Sequence, residues 1–246
     1  MTATVLLTRP ADQSARFADA LHERLGAAVP VLIAPVMRIV TDPDAAARAL
    51  RGAGGAIFTS ENGVAACSEA AVPHGLPAFC VGPRTAEAAA ARGFAVRSGP
   101  GDAAGLAATI AEAGWPTGAP PLVHLHGAHV TGDLAGALAA AGIAARGTVV
   151  YDQRATPLGQ DALALLAGRR AVVVPLFSPR SARLVAPELV RARAPLRIAA
   201  ISPAVATALN VHSAAKPQVQ VAASPDAEAM LEAVARLWEN GSFLER

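Results

Sequence analysis

Phe58-Thr59-Ser60-Glu61-Asn62-Gly63-Val64 is the end of an apolar run that stops at a hydroxylic turn and gives way to a helix-forming sequence. Val81-Gly82-Pro83-Arg84-Thr85-Ala86 repeats the design. The pair recurs as Leu176-Phe177-Ser178-Pro179-Arg180-Ser181-Ala182 and Ile201-Ser202-Pro203-Ala204-Val205-Ala206. Phe58 and Gly82 lie 24 positions apart, and Phe177 and Ser202 lie 25 apart. A repeat at matched spacing predicts two similar half-molecules, which makes the gap between them the expected place for a ligand.

Outward from these turns, short apolar runs alternate with helical periodicity. Strands are expected at 4–7, 31–33, 56–58, 78–81, 94–97, 122–125, 147–151, 171–174, 198–201 and 219–222. Helices are expected from Asp12 as cap to a stop at Gly26, from Asp42 or Asp44 to Leu50, and over 63–70, 84–92, 102–113 and 133–141. Further helices are expected over 159–166, 181–190, 204–209 and 225–239. This alternation predicts an α/β protein with a doubly wound parallel sheet in each half. Only three strands follow residue 157, so the strands at 4–7 and 31–33 complete that half. Domain 1 is then discontinuous, residues 1–36 plus 155–246, and domain 2 is the inserted segment 37–154. Two connector strands, at 36–41 and 148–156, would form a hinge.

Composition narrows the function. Apolar residues make up 53% of the 246 and aromatic residues only 4%, which argues against stacking single-stranded nucleic acid on aromatic platforms. A net charge of +2 without a run of basic residues argues against a dedicated duplex binder. Arg far outnumbers Lys, which suits bidentate recognition of carboxylates or phosphates and equally fits a solvated surface. Cys67 and Cys80 form no CxxC motif. The start at Met1-Thr2-Ala3 lacks a leader pattern and no apolar run reaches membrane-spanning length, so a cytoplasmic chain without a membrane partner is expected.

The repeated turns stand where strands end and helices begin, the edge at which open parallel sheets bind ligands with free backbone N–H groups. As plain helix caps, Ser60, Thr85, Ser178 and Ser202 have a structural reading too. His124-Leu125-His126-Gly127-Ala128-His129 puts two imidazoles on one strand face, but no neighbouring carboxylate completes a metal set, so a polar strand-end loop is expected. Gly99 to Gly105 misses the dinucleotide spacing, and Gly127 to Gly132 lacks the Lys of a P-loop. No GxSxG occurs. Tyr151, the one tyrosine, is read either as a hydrogen-bond donor and weak acid facing the gap or as a half-buried strand residue with a packed ring.

Together, Leu7-Thr8-Arg9-Pro10, Ile57-Phe58-Thr59-Ser60, Val81 to Ala86, Val149-Val150-Tyr151, Phe177-Ser178-Pro179 and Ile201 to Ala206 resemble the uroporphyrinogen-III synthase family in order and spacing, over nearly the whole chain. That resemblance implies an enzyme that cyclises hydroxymethylbilane, a polycarboxylate linear tetrapyrrole, with loss of water and inversion of ring D through a spiro intermediate. It implies no cofactor and no metal, a monomer, and at most transient contact with hydroxymethylbilane synthase. Tyr151 would assist departure of the hydroxyl. Thr8, Arg9, Thr59, Ser60, Glu61, Asn62, Gly82, Pro83, Arg84, Thr85, Gly127, Ser178, Pro179, Ser202, Ala204 and Val205 would bind substrate, mostly through the main chain. The family commonly reads Gly-Pro-x-Thr-Ala in the second copy, whereas Ser202 and Val205 stand here in place of the Gly and Thr. Val205 donates no hydroxyl hydrogen bond. Either main-chain amides serve there, or binding is weaker, or the chain is an inactive relative that only binds an anionic tetrapyrrole or another small acid.

Overall fold

The computed structural model describes residues 3–130, 132–209 and 217–243, and the reading of the start at Met1-Thr2 lies outside them. The chain divides into two compact units, Met1–Arg38 with Arg154–Arg246, and Ile39–Gln153.

In chain order, the first unit opens with β1 (Thr4–Leu7), α1 (Ala11–Leu25) and β2 (Val31–Ile33). The chain enters the second unit within β3 (Met37–Thr41) and continues through α2 (Pro43–Leu50), β4 (Gly55–Phe58), α3 (Glu61–Ala65), β5 (Pro77–Cys80), α4 (Pro83–Ala90) and β6 (Ala95–Ser98). It goes on through α5 (Ala103–Ala113), β7 (Leu122–Gly127), α6 (Leu134–Ala140) and β8 (Ala145–Ala155), leaving the unit within β8. The first unit resumes with α7 (Gln160–Ala167), β9 (Val172–Leu176), α8 (Pro179–Arg191), β10 (Leu196–Ala200), α9 (Pro203–Leu209), β11 (Gln218–Val221) and α10 (Ala227–Phe243).

The sheet of the first unit has the order β11-β10-β9-β1-β2, all parallel. The second has β3-β8-β7-β4-β5-β6, parallel from β8 to β6. Leaving β3 aside, the two orders superpose: β9 answers to β4, β10 to β5, and β1 to β7. The doubled turns therefore follow equivalent strands.

Each sheet is covered on both faces, which is why its central strands β4 and β9 are buried throughout rather than alternating, while the edge strands β6 and β11 carry polar residues. Every residue of β9 is buried. Val172, Val174 and Leu176 pack with Ala182, Val185 and Leu189 of α8, while Val173 packs on the other face with Phe17, Leu21, Met230 and Val234 of α1 and α10. In the second unit Phe58, Cys80 and Leu125 face α2 to α4, and Ile57 and Phe79 face Leu106, Ile110 and Leu138.

Three local expectations are corrected. Pro10, with no side-chain cap, precedes α1, and Asp12 lies inside its first turn. The helix expected over 63–70 is the short α3 followed by a separate 3-10 turn, Glu69–Ala71. Gly63 sits within α3 because a Cβ there would lie 2.5 Å from the Leu125 carbonyl oxygen, and a glycine inside so short a helix weakens its continuation. Gly82, not Thr85, is the cap of α4, and Thr85 is buried within that helix's first turn. Among the described residues no helix is long and apolar enough to cross a membrane.

Candidate active site

In each sheet the strand order reverses direction once, between β4 and β7 in the second unit and between β1 and β9 in the first. At such a switch point the two following turns leave in opposite directions and open a crevice at the carboxyl edge.

In the second unit this crevice is a pocket of about 240 Å³. Thr59 and Ser60 line it from the end of β4, His124 and Gly127 from β7, His129 from the loop beyond, and Tyr151 from β8. The Ser60 hydroxyl accepts from the Asn62 N–H at 3.2 Å and so caps α3. Tyr151 reaches the pocket through a break in register. His126 pairs with Val149, but Gly127 pairs with Tyr151, which leaves Val150 as the extra residue of a β-bulge. The Ala128 N–H donates to the Tyr151 carbonyl at 2.9 Å and fixes the far side of the bulge. The tyrosine is 8% exposed, its ring against the Cα of Gly127.

The imidazoles of the β7 stretch have separate partners. His124 Nε2 and Thr59 Oγ1 share a hydrogen bond of 3.0 Å. His126 Nδ1 lies 2.8 Å from the Gly127 carbonyl oxygen, to which it donates. Burial of His124, with the nearby His126 as a lesser cause, lowers its pKa from 6.5 to about 4, so it is neutral at ordinary pH. Among the described residues no group of three or more His, Cys, Asp or Glu is placed to hold a metal ion.

Beside this pocket, the first turns of α3 and α4 are linked by an ion pair of 3.0 Å between Glu61 and Arg84. Gly82 caps α4 and the helical ladder starts with Ala86 donating to the Gly82 carbonyl, so the N–H groups of Arg84 and Thr85 precede any intrahelical acceptor. Pro83 occupies the first helical position, where it forfeits nothing.

At the switch point of the first unit, Arg9 lies with its guanidinium carbon 4.2 Å from the centre of the Phe177 ring. The Ser178 hydroxyl accepts from the Ser181 N–H at 3.1 Å and caps α8, with Pro179 next in line. Thr8 is 1% exposed, and its hydroxyl has no hydrogen-bond partner among the described residues. At the start of α9, Ser202 is half-buried and Ala204 exposed. Val205 is 1% exposed within the core, and its N–H donates to the Ser202 carbonyl at 3.1 Å.

Thus Thr59, Ser60, Gly127 and Tyr151 meet in one pocket, Glu61 and Arg84 stand at neighbouring helix starts, and Thr8, Arg9, Ser178 and Pro179 gather at the equivalent edge of the first unit. His124, read from sequence only as part of a polar loop, joins the pocket as well. Its signal was present: it falls between the apolar Val123 and Leu125 in the buried part of β7, where a polar side chain needs a partner.

A family model described as uroporphyrinogen-III synthase HemD matches residues 15–232. A search of curated protein sequences finds no significant match. Among solved structures, uroporphyrinogen-III synthetase from Helicobacter pylori is 17% identical with a TM-score of 0.61, over 96% of this chain and 99% of that one, which shows a shared fold. A mutant uroporphyrinogen III synthase from the extremely thermophilic bacterium Thermus thermophilus is 18% identical, covers 97% of this chain and 100% of its own, and has a TM-score of 0.47.

Proposed function

The chain belongs to the uroporphyrinogen-III synthase family, and from that membership we propose how its own residues close hydroxymethylbilane into uroporphyrinogen III. The family reaction is a lyase step of porphyrin and heme biosynthesis. Water is lost from the terminal hydroxymethyl group, and ring D is inverted through a spiro intermediate before the macrocycle closes.

The observation that carries the assignment of roles is the meeting of Tyr151 with Thr59, Ser60 and Gly127 in a pocket at the β4 and β7 switch point. A space of about 240 Å³ suits one pyrrole ring with its side chains rather than the whole tetrapyrrole. Ring D with its hydroxymethyl group enters here. The Tyr151 hydroxyl donates to the departing oxygen, and a neutral donor suffices because the pyrrole nitrogen supplies the electron push that forms the azafulvene.

Acetate and propionate groups beside this pocket meet the hydroxyls and first-turn amides around Glu61, Asn62, Gly82, Pro83, Arg84 and Thr85, and the turns at Thr8, Ser178, Pro179, Ser202 and Ala204 offer donors of the same kind within the first unit. Arg84, although its charge is balanced by Glu61, can offer its remaining guanidinium N–H groups to a carboxylate, and Arg9 adds positive charge at the edge of the first unit. Val205 takes part only through its main chain, since its side chain lies in the core. Holding the flexible substrate in one curled geometry accounts for the choice of isomer. The chain acts as a cytoplasmic monomer, with transient contact to hydroxymethylbilane synthase as the source of an unstable substrate. Supplying hydroxymethylbilane and separating the type III product from the type I product of spontaneous closure tests this reading.

A further inference from the structure

His124 is an expensive residue where it stands. It occupies the middle of β7, pairs in register with Ile57, is 7% exposed, and lies between buried Val123 and Leu125. An aliphatic side chain would fill such a site without removing an imidazole from water. Among the described residues its polar tie to the pocket is the 3.0 Å bond from Nε2 to the Thr59 hydroxyl, made across 65 positions of sequence. Thr59 is half-buried just past the end of β4, where its hydroxyl would otherwise turn toward its own backbone. Both residues line the pocket that Tyr151 enters.

We infer that His124 is a positioning residue for the cyclisation, holding the Thr59 hydroxyl through Nε2 in the orientation in which it meets the substrate beside Tyr151. The inference rests on the function proposed above. It fits the general pattern that a polar residue breaking the rules of a buried strand does so at a functional site. The neutrality of the imidazole serves this role, since an uncharged ring orients the hydroxyl without adding a cation that would draw a carboxylate in place of the ring.

A double-mutant cycle on the full chain tests it, reading kcat, KM, isomer ratio and melting temperature with hydroxymethylbilane as substrate. His124→Leu is expected to lower kcat about fivefold to tenfold, the scale of one lost hydrogen bond, with little change in KM. Thr59→Val is expected to cost a similar factor, the double variant no more than either alone, and His124→Gln to recover most of the loss. Parental kcat in His124→Leu, or multiplicative losses in the double variant, would overturn the inference while leaving the synthase assignment intact. A parent that yields type I product alone overturns the synthase assignment first, and the inference with it. Should His124→Leu fail to fold, Thr59→Ser against Thr59→Val decides: a smaller loss for Ser supports a role for the held hydroxyl, and equal losses refute it.

Discussion

Gly127 lies flat against Tyr151: a Cβ added at 127 would fall 2.5 Å from Cε2 and 2.6 Å from Cζ of the tyrosine ring. The absent side chain therefore sets where the ring sits. Gly127→Ala is expected to push the ring out of its place, costing roughly 1–3 kcal/mol of stability as an overpacked contact. Activity should fall further than that loss explains. Chemical unfolding and a rate assay on the same preparation check it, and wild-type turnover would contradict it.

Tyr151→Phe keeps the ring and its packing but removes the hydroxyl. Turnover is expected to fall by tenfold or more, while the rise in melting temperature caused by saturating product stays nearly unchanged. Equal losses of both would identify the residue as packing rather than chemistry.

The buried His124 imposes a pH dependence on stability. Its folded pKa is about 4 against an ordinary 6.5, so between these values the unfolded chain holds a proton that the folded chain does not. Stability from this group is full above pH 6.5, falls as pH drops toward 4, and levels off below, a loss on the order of 3 kcal/mol. Urea midpoints taken between pH 7 and pH 4 should fall more steeply for the parent than for His124→Gln. Identical slopes would show that the imidazole titrates normally.

Ser178 caps α8 through the Ser181 N–H, and Ser60 caps α3 through the Asn62 N–H. Replacing either by Ala is expected to cost about 1 kcal/mol, visible as a lowered melting temperature. In addition, each variant should raise KM for hydroxymethylbilane, because the proposed function gives each of these turns a substrate carboxylate to bind. A drop in stability with unchanged KM would reduce these serines to caps alone.

Much of this was legible in the sequence. The runs ending at Phe58, Cys80 and Leu176 are too uniformly apolar and too short for helices, and the turns behind them carry cap residues, so the strand-helix alternation and its doubling could be read directly. Tyr151 stood out as the one tyrosine. The bulge that aims it was not readable, because it depends on how β7 pairs with β8. Nor was the His124 and Thr59 bond, which only the neighbouring positions of β4 and β7 create. The early end of α3 is not legible in the sequence, because the close approach to β7 that demands Gly63 appears only in the fold.

The most direct test is the isomer ratio. Purified chain given hydroxymethylbilane should convert it mostly to the type III macrocycle, at an initial rate proportional to protein concentration. Type I product alone, formed no faster than in buffer, would contradict the account.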